Sequence, residues 1–164
     1  MALIKNREVV ADDSWVFVPD GADLPDSGDV VVSSSRLLAE RDALLAREGR
    51  LGVQLQPDED AEPLEPLIDS LALVAVAFPK FTDGRGYSSA RLVRDRFGYD
   101  GELRAIGNVL PDQVFYMARC GFDAFELAEG KKPEHALAAL EEFSVTYQAA
   151  SDDPRPLFRR RDVG

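Results

Sequence analysis

Leu71-Ala72-Leu73-Val74-Ala75-Val76-Ala77-Phe78 is an unbroken apolar run between an acidic segment and the Pro79-Lys80 turn. Its length is that of a strand, far short of the roughly 20 residues that cross a bilayer. Within it Val74, Val76 and Phe78 oppose Ala75 and Ala77. A strand over Ala72–Phe78 therefore turns large side chains to one face and small ones to the other. The same pattern recurs on both sides. Leu51, Val53 and Leu55 oppose Gly52 and Gln54; Phe125 and Leu127 oppose Ala124 and Glu126; Arg104 stands between Leu103 and Ala105. A sheet covered by helices on both faces would be apolar on both. Here one face suits helices and the other is small or polar.

Strands are expected to start near 30, 51, 72, 102, 123 and 145, with helical segments between them. Ser33–Ser35 supplies an N-cap for a helix over Arg36–Glu48, with Leu37, Leu38, Leu44 and Leu45 inward and Gly49 as its stop. Leu64, Leu67, Ile68 and Leu71 have helical spacing, Tyr87–Phe97 closes at Gly98, Asp112–Cys120 follows Pro111, and Pro133 opens a helix to Phe143. Strands alternating with helices give βα units and a mostly parallel sheet, with every strand-to-helix loop on one rim. The fold class predicted is α/β, a partial TIM-type barrel. A flavodoxin-like open sheet is the alternative. A complete eight-stranded barrel takes about 250 residues, more than this chain has. Residues 1–150 form one domain in this reading. Within it, 1–29 hold a short strand pair, a strand at Trp15–Val18 and an acidic loop; beyond it, 151–164 make a tail with Arg159-Arg160-Arg161 that reads as poorly ordered or as a docking arm.

The net charge is −11 over 164 residues, and it is segregated. Asp12, Asp13, Asp20, Asp23, Asp26 and Asp29 stand in 11–29, and Asp58, Glu59, Asp60, Glu62 and Glu65 in 58–65, with no base in either stretch. The remainder balances. Such a charge disfavours nucleic acid and anionic membranes as partners. One cysteine, Cys120, excludes an internal disulfide, and one histidine, His135, disfavours a His-based metal centre, so no metal site is expected. The N-terminus has no apolar signal segment, which points to a cytoplasmic protein.

The rim segment Lys80-Phe81-Thr82-Asp83-Gly84-Arg85-Gly86-Tyr87-Ser88 joins the central strand to a helix. Its glycines, two cations and helix start suggest a small-anion pocket using Lys80, Thr82, Asp83, Arg85, Gly86 and Ser88. The plain structural alternative is a turn capped by Thr82, Asp83 or Ser88. Gly84–Ser89 is an incomplete dinucleotide fingerprint, with Ser at the last glycine position. Asn108, Asp112 and Gln113 face the same opening from the next loop, and Asp83 and Asp112 are the candidate catalytic acids or bases; helix capping is the competing role for Asp112. Ala128–Lys132 could complete the pocket. Arg104 and Glu126, on consecutive strands, are expected to pair with each other or to touch a ligand. Arg91, Arg94 and Asp95 read as solvated charge, His135 as a surface residue and Cys120 as a buried filler.

From Phe78 to Phe125, with FPKFTDGRGYS and GNVLPDQ both standing, the chain resembles a bacterial domain-of-unknown-function family, number 934, labelled as a probable oxidoreductase of sulfite reduction. Asn108 stands where Asp is often expected. The resemblance implies a role in sulfate assimilation and cysteine biosynthesis, with sulfite reductase or its electron donor as partner. It assigns no catalytic residue. A redox enzyme needs a cofactor, metal or thiol pair. The sequence carries no motif for one, so redox work would need a flavin held without a signature or a partner that carries the electrons. A non-redox enzyme acting on a small anionic substrate, and a binding protein without catalysis, are the alternatives. A polar sheet face left open would invite a homodimer.

Overall fold

The computed structural model describes residues 1–80, 82–142 and 148–156. Two antiparallel strands, β1 (Leu3–Lys5) and β2 (Glu8–Val10), lead to β3 (Val16–Phe17) and β4 (Val30–Ser33). Then come α1 (Ser34–Ala39), α2 (Arg41–Ala46), β5 (Leu51–Leu55), a 3-10 helix (Glu62–Ser70) and β6 (Leu73–Phe78). Helix α3 (Arg85–Arg91) runs on into a π turn (Leu92–Arg96), followed by β7 (Glu102–Val109), a 3-10 turn (Pro111–Gln113), α4 (Val114–Arg119), β8 (Ala124–Leu127) and α5 (Pro133–Glu141). The strand expected at Val145–Tyr147 and the Arg159–Arg161 run lie outside the described residues.

All strands join one sheet in the order β2-β1-β8-β7-β6-β5-β4-β3. From β3 to β8 the strands are parallel and adjacent in chain order, without the reversal at which a doubly wound sheet changes direction. β1 closes the far side antiparallel to β8, so the sheet is mixed, mostly parallel, and curls into a half-barrel. The alternation dictates its two faces. Val53, Leu55, Val74, Val76, Phe78 and Leu103 meet the helices in the main core, together with Leu37, Leu64, Val93, Met117 and Leu140. The concave face holds a smaller cluster, Trp15, Val31, Leu73, Ala75, Ala77 and Ile106. No helix among the described residues is long and apolar enough to cross a membrane.

Several local expectations fail for identifiable reasons. The first helix breaks at Glu40, which ends α1 and begins α2. Leu37 and Leu44 form one stripe on the sheet; Leu38 and Leu45, a further 100° round each helix, are exposed. The segment over Leu64–Ile68 is 3-10 rather than α-helical, because Pro63 and Pro66 remove amide donors and crowd the preceding turn. Arg94 is not solvated. Its side chain is 16% exposed, and it donates to the Gly121, Tyr99 and Gly101 carbonyls and to Asp123. It thereby pins the chain before β7 to the chain before β8. Burial pushes the Asp123 carboxyl up, against the pull of Arg94. Part of the C-terminal stretch also docks: Arg119 pairs with Asp152 at 2.8 Å and donates to the Gln148 carbonyl.

Arg104 does not pair with Glu126. Its side chain is 1% exposed and bonds Glu102, two residues back on the same face of β7, at 2.6 Å. It also takes a two-pronged grip on Asp13, at 2.6 and 3.1 Å. Lys5 reaches the other Glu102 oxygen at 2.6 Å. Two acids and two bases thus neutralise one another inside the curl. Next to them Trp15 packs on the concave cluster under the Arg50 guanidinium, and Arg50 and Ser14 hold Asp29. The hydrogen bond from Arg50 is the chief reason that the Asp29 carboxyl sits well below the usual carboxylate range. These contacts strap residues 13–15 across the N-terminal ends of the parallel strands.

A buried ion pair that loses one partner typically costs about 3–5 kcal/mol. Glu102→Ala, which leaves Arg104 with Asp13 alone, should lose stability in that range in urea unfolding. Asp13→Ala should lose less, because Asp13 is 31% exposed and Glu102 remains in place.

Candidate functional site

The opposite rim carries the strand-to-helix loops, where parallel sheets place their ligands. Asp83 curls back on Arg85. It accepts from Nε at 3.0 Å and from Nη2 at 2.7 Å, with a longer bond from the Arg85 amide at 3.3 Å. That guanidinium holds the Asp83 carboxyl down at about 2. Asp83 is therefore ionised and committed near neutral pH, whereas an effective general base titrates near the working pH. Lys80 stands exposed beside the pair, and its charge also acts on Asp83. Thr82 is exposed; Phe81 lies outside the described residues. Helix α3 begins after Gly84, with no side-chain cap at that position.

Gly86 is buried in the first turn of α3 against the central strand. A Cβ there would stand 2.8 Å from Phe78 Cζ and 3.0 Å from Val76 Cγ1. Hydrogen in place of a side chain lets α3 lie close to β6. Ser88 is exposed on the outer side, in a cleft of about 330 Å³ that Arg85, Ser89 and Leu92 share with Asp58, Glu59, Asp60 and Glu62. The surroundings of Arg85 are thus predominantly acidic.

β7 runs on to Val109, eight residues in all. Ala105 lies opposite Phe125 and Val109 opposite Leu127, so four residues of β7 cover two of β8. The extra length is a bulge, with Gly107 at φ +97°; a Cβ there would meet the Phe78 carbonyl oxygen at 2.8 Å. Bulges recur at sheet rims beside binding sites. This one places Asn108, half-buried, beyond Gly107, the residue paired with Phe78. Gln113, not Asp112, closes the turn before α4: its Oε1 accepts from the Leu110 amide at 3.1 Å. Asp112 is exposed.

Gln113 lies beside the Tyr87 hydroxyl, whose titration burial pushes up. Tyr87 packs in tilted contact, at 5.1 Å between ring centroids, on Phe78 on one side and on Tyr116 on the other. Tyr116, 55% exposed, brings this ladder to the surface. The structure therefore brings together Lys80, Asp83 and Arg85 in one cluster, and Gly86, Tyr87 and Gln113 in a second beside the bulge. Arg104 belongs to neither. It pairs in register with Ala75, three residues short of the Phe78–Gly107 pair, or about 10 Å along the strand.

Glu126 is half-buried on β8, His135 is exposed, and Cys120 is buried behind Tyr116 and Arg91. Among the described residues no group of three or more His, Cys, Asp or Glu is arranged to hold a metal ion. Sequence reasoning missed the acidic cleft against α3, the aromatic ladder, and a second cleft at the ends of β3, β4 and β5. Only Gln54, a polar residue in an apolar strand, signalled the last of these.

A carboxyl depressed in the fold contributes stability that is present above its ordinary range and lost as pH falls through its folded value. An NMR pH titration should accordingly place the Asp83 midpoint near 2. Arg85→Ala should return it toward an ordinary aspartate, about 3.9.

Residues 52–158, more than half of the chain, match the family described as "Bacterial protein of unknown function (DUF934)". Among curated proteins no match is found. The match takes in β5 to β8, both rim loops, the acidic cleft and the described part of the C-terminal stretch, so the chain belongs to the bacterial family DUF934.

Proposed function

We propose that this protein is an accessory component of assimilatory sulfite reduction in the cytoplasm, working by docking on sulfite reductase or on its electron donor. The reading joins the resemblance of the Phe78–Phe125 block to one surface observation. No Lys or Arg occurs between Arg50 and Lys80, and Asp58, Asp60, Glu62, Glu65 and Asp69 are all exposed in that interval. A one-sign surface of this kind steers a basic partner and fixes its orientation. The oxidoreductase label is then met by electrons that the partner carries, or by a flavin held without a sequence signature. The half-barrel serves as a truncated TIM-type scaffold whose C-terminal rim faces the partner.

Pull-down with the cognate reductase and its electron donor should succeed at low salt and weaken at high salt. Sulfide output should rise when the protein is added. Replacing Asp58 and Asp60 by Asn and Glu62 by Gln should weaken capture by on the order of tenfold. No capture and unchanged sulfide output would overturn the proposal.

Exposed Lys80 beside the Gly107 bulge favours a second reading, a small-anion site serving a non-redox enzyme. In that case sulfate should bind saturably, and Lys80→Ala with Arg85→Ala should abolish it. Binding that survives in the double variant would remove this reading.

A further inference from the structure

We propose that the cleft at the C-terminal ends of β3, β4 and β5 binds a small molecule carrying an ammonium group on a compact apolar body. The cleft, of about 260 Å³, lies on the rim where parallel strands present their ligands; it borders the acidic cleft against α3, since Gln56 lines the one and Pro57 the other, but the two share no lining residue. It is slightly smaller than the usual small-molecule pocket of about 300–1,000 Å³, which restricts the occupant to a compact molecule. Phe17, Pro19 and Val31 give it apolar walls, and Asp20, Ser33, Gln54 and Gln56 give it polar ones.

The hydrogen bonds of these polar groups indicate what is left for a ligand. Ser33 Oγ donates to Asp20 Oδ1 at 2.6 Å and accepts from the Arg36 amide at 3.1 Å, so the carboxylate is fixed on the wall. Asp20 Oδ2 and the side-chain amides of Gln54 and Gln56 take no hydrogen bond from the described residues. Gln54 lies beside Ser33 in the register of β4 and β5 and beside Ala75 in that of β5 and β6.

The charge fixes the ligand class. Asp20 is the one charged residue lining the cleft. Arg36 does not line the cleft; its Nη1 donates to the Pro19 carbonyl and its charge is paired with Glu40 at 3.3 Å. One unopposed carboxylate, with amide oxygens able to accept, suits three ammonium donors, and Phe17 and Pro19 suit the apolar body. An anion would meet that carboxylate, and no cation lines the cleft to offset it. Although the Gln56 amide donates to Glu59 of the acidic segment, the two ideas rest on different side chains, Asp20 and Gln54 here and Asp58, Asp60 and Glu62 there, so the failure of either leaves the other standing.

The test is titration of ¹⁵N-labelled full-length protein with benzylammonium, benzyl alcohol and benzoate at one ionic strength. Benzylammonium should give saturable shifts at residues 17–20, 31–33 and 54–56, and bind on the order of tenfold more tightly than either other probe. Asp20→Asn should abolish that preference with the remaining spectrum intact, and Gln54→Leu should weaken binding of the ammonium. The proposal fails if no probe saturates, if shifts fall elsewhere, if benzoate or benzyl alcohol binds as tightly, or if Asp20→Asn still discriminates by charge.

Discussion

A guanidinium cannot be buried without compensation, and Arg104 is buried in the concave face of the sheet. Glu102 answers it from the same strand, Lys5 balances Glu102 from β1, two strands away, and Asp13 arrives from the N-terminal segment. Each partner comes from a different stretch of chain, so satisfying one charge determines where those stretches lie. The N-terminal segment must cross the bottom of the curl, and β1 must close on β8 with Lys5 turned inward. Trp15 then fills the space over Leu73 and Ala75 that small side chains leave.

The two ends of the strands consequently differ in character. The N-terminal end is saturated: its charges are paired and the Trp15 ring is covered by Arg50. The C-terminal end is open. A register shift in β7, a loop held by its own Asp83–Arg85 pair, and a cleft with uncommitted amides all lie there. Internal pairing also changes the chemistry of this rim. Asp83 neutralises Arg85, and the acidic segment approaches the same helix, so the positive loop read from composition is locally balanced.

What was legible in the sequence was legible because it is local. Alternation of Val and Ala in β6, and of Leu, Val and Gln in β5, fixes which side chains share a face, since the strand period is two. The side with small and polar residues, and therefore helices on one face only, followed directly. The helical period foresaw Leu64, Leu67 and Ile68 as buried, but not the 3-10 geometry that Pro63 and Pro66 impose. The rim residues Lys80, Asp83 and Arg85 were identified as neighbours because the chain itself makes them so. That Asp83 would spend its charge on Arg85 depended on the curl of the loop.

Sequence by itself determined the strand and helix order, the two-faced sheet, the segregation of charge and the membership of the block around Phe78. These follow from periodicity and residue type, which act over a few residues. Only the tertiary structure decided the partners of the buried charges. Asp13 lies 91 residues from Arg104 along the chain, and Lys5 lies 97 from Glu102. No pattern of spacing encodes pairings over such distances. They arise when the sheet closes and each buried charge must meet its opposite, and the same closure leaves one rim open for binding.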